Sequence, residues 1–176
     1  MNRYFFIVLL AALSLFGCTG SPEGVYPVKT FQLPEYLGSW YEIARLDHSF
    51  ERGMSSVTAT YSMRDDGGVK VLNKGFKEDS QEWGEAEGKA YFVDSSDVGH
   101  LKVSFFGPFY GSYIIFELDT LDYQYAFVSG MNTDYLWLLA RTPAVSDELI
   151  EHFVKSASAL GFDTEQLIFV DQSKSY

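Results

Sequence analysis

The chain has 176 residues, of which 47% are hydrophobic and 17% aromatic, enough for one domain with a substantial core and inconsistent with disorder. Thirteen basic and 24 acidic residues give a formal charge of −11; only Arg3 is charged in residues 1–17, so the remainder carries 12 against 24, or −12. That surface repels phosphate backbones and anionic headgroups, which excludes nucleic acid as a partner and a basic patch as a membrane attachment, while a single cysteine excludes internal disulfides and multi-cysteine metal sites.

Met1-Asn2-Arg3 is a short positive start, followed by an apolar run from Tyr4 to Phe16. The run is shorter than the ~20 residues that span a bilayer as a helix, and it fits the apolar region of a secretory signal. Leu15-Phe16-Gly17-Cys18 resembles the lipobox of bacterial lipoproteins, although Phe16 stands where a small or β-branched residue is usual. The resemblance implies removal of residues 1–17 as a lipoprotein signal peptide, an S-diacylglycerol on Cys18 and an acylated new amino terminus. Several acyl chains, at ~0.8 kcal/mol per buried CH₂, anchor a protein durably. Thr19, rather than Asp, follows the cysteine, which in that family implies the outer membrane. Thr19 to Gly24 is small, polar and proline-containing, so residues 18–30 read as a lipid-anchored tether and 31–176 as the folded domain.

From residue 38 the hydrophobic pattern has period two. Val57 to Met63 alternates strictly, as does Leu101 to Phe105, and each predicts a strand with one dry and one wet face. Asp65-Asp66-Gly67-Gly68 is a turn leading into Val69-Lys70-Val71-Leu72. Further strands are predicted at 38–46, 83–93, 111–119, 123–131 and 134–141. Eight strands with short connections read as an all-β antiparallel up-and-down meander, which removes its edges by closing into a barrel. Leu149, Ile150, Phe153, Val154, Ala157 and Leu160 change to helical spacing, with Ser146 as N-cap and Gly161 at C′. This C-terminal α-helix is expected to pack outside the sheet against Tyr135 to Leu139, a strand apolar on both faces.

Three separated signatures then align. Gly38-Ser39-Trp40 opens the first strand, Asp122-Tyr123 lies in the turn before the seventh, and Arg141 ends the last. Together they resemble the lipocalin family, and the stretches Gly88 to Phe92 and Lys102 to Gly111 are similar to its bacterial outer-membrane members and their apolipoprotein D-like relatives. The resemblance covers about residues 30–171. It implies structural roles for Gly38, Trp40, Asp122, Tyr123 and Arg141, with Trp40 plugging the closed end and Arg141 lying across its indole.

No motif for catalysis stands out. His48, His100 and His152 are far apart, Asp65-Asp66 is a turn, and Glu85 with Glu87 faces solvent. Neither a nucleophile elbow nor a zinc-binding His-Glu-x-x-His occurs, so an enzyme is not expected, and no cofactor or metal is. The dry faces instead supply a ligand wall: Val57, Ala59, Tyr61, Leu101, Val103 and Phe105, with Tyr113, Ile115, Phe127 and Trp137. A fatty acid or lysophospholipid suits such a wall and an eight-stranded barrel. Two rivals stay open at this stage, a scaffolding lipoprotein with a filled barrel and a haem- or pigment-binding barrel. A homodimer, which forms among relatives, is neither required nor excluded by the residues.

Overall fold

Alternation becomes sheet wherever one face finds a core. A computed structural model describes residues 19–174, and these form a short helix α1 (Leu33–Tyr36), then β1 (Gly38–Arg45), β2 (Met54–Met63), β3 (Val69–Lys77), β4 (Glu82–Phe92) and β5 (His100–Ser104). There follow β6 (Gly111–Leu118), β7 (Tyr125–Ser129), β8 (Leu136–Ala140), the helix α2 (Asp147–Ala159), a 3₁₀ turn at Thr164–Gln166 and a two-residue β9 (Ile168–Phe169). Each of the first seven strands pairs antiparallel with the next, and β1 pairs with both β2 and β8, which closes the barrel. The expected eight-stranded barrel with an outer C-terminal helix is therefore observed. α1 and β9 are additions; β9 extends the sheet by pairing with Ala44 and Arg45.

Two cores result, because successive residues of a strand point to opposite faces. The inner core joins Trp40, Tyr61, Val71, Leu101, Ile115, Val128 and Leu139. The outer core lies between the sheet and α2, where Phe153 and Ala157 are buried with Phe127, Leu136 and Leu138. Ser146 caps α2 by accepting the Leu149 N–H at 3.3 Å. Ile150, expected on the buried stripe, lies outside this cluster, whereas Leu149, Val154 and Leu160 pack against it.

The connections β2–β3, β4–β5 and β6–β7 gather at one end with α1, and the connections β1–β2, β3–β4, β5–β6 and β7–β8 at the other. Residues 20–31 are not the free tether expected from their composition. The Gly20 carbonyl accepts from Ser112 Oγ at 2.7 Å, Val25 is buried in the outer core, and the Val28 N–H donates to the Ile115 carbonyl at 2.8 Å. Phe31 then docks through its N–H on the Asp97 carbonyl at 2.8 Å. Three apolar side chains, Val25, Val28 and Phe31, convert a polar segment into a strap, and their burial outweighs the freedom that its glycines would retain.

Candidate functional site

The closed end is built from α1 and the start of β1. Trp40 is fully buried, and its indole N–H donates to the Tyr36 carbonyl at 2.8 Å. The Arg141 guanidinium lies 3.9 Å above the indole ring. It also donates to the carbonyls of Ser39, Glu35, Leu37 and Tyr123 at 2.7–3.2 Å, a fork that lysine could not reproduce. Gly38 has φ +94°, a left-handed conformation that favours glycine, and a Cβ there would just touch Arg141 Nη1 at 3.4 Å. Tyr123 is buried, and its hydroxyl accepts the Gln32 N–H at 3.0 Å. Asp122, by contrast, is exposed, and the loop is capped by its neighbour: Asp119 accepts from the N–H groups of Leu121, Asp122 and Gln124.

Above this floor stands a chain of tyrosines. Tyr113 shares hydroxyl hydrogen bonds with Tyr36 and Tyr61, each at 2.7 Å. Burial holds all three phenols above the usual tyrosine range, so they are neutral donors and acceptors in an otherwise apolar interior.

The open end carries a charged layer. Along β1 the pairing shifts between Glu42 and Ala44: Glu42 faces Leu139, Ala44 faces Leu138, and Ile43 is the extra residue of a bulge. Trp40 and Glu42 point inward by alternation. The bulge turns Ala44 to the outer core and returns Arg45 to the interior, opposite Trp137. Arg45 Nη1 consequently donates to Glu42 Oε1 at 2.5 Å, and Nη2 to the carbonyls of Glu51 and Met54. His48 Nε2 lies 3.0 Å from Glu51 Oε2, which also accepts from the Trp137 indole at 3.2 Å. Burial and the Glu51 charge raise the Glu42 carboxyl well above its usual range. Burial acts on Glu51 in the same direction, but its hydrogen bond with His48, the His48 charge and the bonds from Glu42 and Trp137 hold it lower. Of the two carboxyl groups, Glu42 is thus held high and Glu51 low.

Of the ten expected wall residues, nine belong to the inward face. Val57, Tyr61, Leu101 and Ile115 are buried there, while Ala59, Val103, Phe105, Tyr113 and Trp137 keep part of their surface accessible. Phe127 is a correction. It faces outward, 4.9 Å from the Phe153 ring, because Ala126 and Val128 take the inward positions of β7. Cys18 lies outside the described residues, one position before Thr19.

Tyr36, Glu42, Arg45, Glu51, Asn73 and Asp119 were not anticipated. Glu42 was accessible from period two, being two residues from Trp40. Asn73 likewise follows Val71 on the inward face, and its Oδ1 is buried without a hydrogen-bond partner. Arg45 depended on the bulge, for which the residues give no signal.

A model of the lipocalin-like domain matches residues 31–172. The chain belongs to the lipocalin family. This lipocalin is 60% identical over 170 residues to the outer membrane lipoprotein Blc of Vibrio cholerae serotype O1, covering 97% of this chain and 99% of that one. It is 32% identical over 153 residues to apolipoprotein D of Mus musculus, covering 82% and 79%. Insecticyanin from the tobacco hornworm Manduca sexta shares the fold with a TM-score of 0.70, covering 88% of each chain at 22% identity.

Proposed function

We propose that this lipocalin is an outer-membrane lipoprotein, anchored through acylated Cys18, that stores or carries a fatty acid or lysophospholipid for envelope maintenance. The observation that carries this reading is the set of inward apolar side chains that stay partly accessible above a sealed floor. The name of the 60% identical Vibrio cholerae relative supports both the anchor and the compartment. Val57, Ala59, Tyr61, Leu101, Val103, Phe105, Tyr113, Ile115 and Trp137 form the wall for the acyl tail. A ~15-carbon tail at ~0.8 kcal/mol per CH₂ offers ~12 kcal/mol gross. Association and ordering costs bring that to micromolar or nanomolar affinity. The unpartnered Asn73 Oδ1 offers an acceptor to a ligand hydroxyl, which a lysophospholipid has. This is a binding reading in which no bond is made or broken.

Titration of Cys18→Ser protein with fluorescent fatty acid and lysophospholipid tests it. Saturable binding of at least one is expected, with a Val103→Trp variant, which fills the lumen, weakened about tenfold or more (~1.4 kcal/mol). Failure to bind either probe, or equal binding by the filled variant, overturns it.

A further inference from the structure

The strap ends in a particular place. From Phe31 at the closed end it climbs the outside of β6, meeting Ile115 at Val28 and Ser112 at Gly20. Three residues of strand separate those two contacts, a rise of about 10 Å towards the open end. Ser112 is the second residue of β6, and the β5–β6 connection at 105–110 immediately precedes that strand. The described chain, which starts at Thr19 and Gly20, thus begins beside this connection and away from the barrel floor.

The same connection presents Phe106 and Phe109, 79% and 77% exposed. Two phenylalanines in one six-residue loop are costly to leave in water, and no described element covers them. The adjoining β7–β8 connection brings Met131 within 3.8 Å of a Cβ placed on Gly111, and its Tyr135 stacks on the exposed Phe50 of the β1–β2 connection, ring centroids 6.1 Å apart. The neighbouring β3–β4 connection and its flanks are acidic, with Glu78, Asp79 and Glu82 against Lys77. The open rim thus has an apolar stretch over the β5–β6 connection, where the described chain begins. Lys102, the cross-strand partner of Ser112, adds a cation on the apolar side.

We propose that the β5–β6 connection inserts Phe106 and Phe109 into the bilayer that holds the Cys18 acyl chains, so that the barrel mouth opens at the membrane surface. The occupant is a phospholipid bilayer, because the described chain begins at this rim, one residue after the cysteine proposed to carry the acyl chains, and the connection that bears the two phenylalanines has no charged side chain. The inference rests on the acylation of Cys18 and adds to it an orientation and two inserting side chains.

Single cysteines at Phe106, Phe109 or, at the closed end, Leu121 can be labelled with an environment-sensitive maleimide, since an acylated Cys18 does not react. Full-length lipidated protein is then reconstituted into phosphatidylethanolamine–phosphatidylglycerol vesicles carrying doxyl groups on their acyl chains. The label is expected to be quenched several-fold more strongly at 106 and 109 than at 121. Equal quenching, or stronger quenching at 121, with the protein still floating with the vesicles, overturns the insertion alone. A parent chain that takes up the maleimide and fails to float overturns the anchor and the insertion together.

Discussion

Glu42 and Glu51 sit together in the barrel mouth, yet they answer pH in opposite senses. Glu42 has a raised value, so its protonated form fits the fold, and the stability it contributes is complete below the unfolded value near 4.3. That contribution is lost as pH rises through the folded value. Glu51 has a lowered value, so its contribution is present above the unfolded value and is lost as pH falls through the folded one. The pair therefore favours the fold most between the two carboxyl titrations. Glu42→Gln, which cannot ionise, is expected to flatten the decline in urea stability above about pH 4.5 and to leave the acid limb in place, at most ~1.4 kcal/mol per pH unit. Parallel stability curves for parent and variant above that pH would contradict the assignment. Arg45 opposes the burial of Glu42 with its charge and a hydrogen bond, as His48 does for Glu51.

At the scale of elements, β7 and α2 separate packing from binding. Phe127 was grouped with the wall residues because it is aromatic and lies in a strand, but the register of β7 against β8 sends it towards Phe153. Phe127→Ala is expected to cost about 3–5 kcal/mol in chemical denaturation and to leave lipid affinity unchanged under native conditions. Impaired lipid affinity in the folded variant would return Phe127 to the wall. The same comparison shows what could be read from the residues. Strict alternation in Val57–Met63 and Leu101–Phe105 placed those side chains inward, and helical spacing with Ser146 placed α2. A strand buried on both faces, such as β7, carries no alternation to decide the side. Bulges are equally silent, which hid Arg45. The strap was hidden for another reason: three apolar residues spread over a polar stretch have no period, and the backbone partners of Val28 and Phe31, Ile115 and Asp97, lie far along the chain.

At the scale of the molecule, a chain of charge −12 beyond residue 17 is repelled by an anionic membrane, and the proposed acylation of Cys18 supplies the attachment that offsets this. Cys18→Ser is expected to shift the protein from the membrane fraction to the soluble fraction while its lipid binding persists. Retention in the membrane fraction would mean that another surface holds it. The closed end has a further consequence. Trp40, Arg141 and α1 seal one end of the barrel, so in the proposed carrier cargo leaves by the door through which it came. A vessel with one door cannot act as a conduit, and nothing in it distinguishes loading from unloading. On that proposed reading, net traffic follows the difference in lipid abundance between the places the mouth visits, with the protein setting the rate of exchange and the surroundings setting its direction.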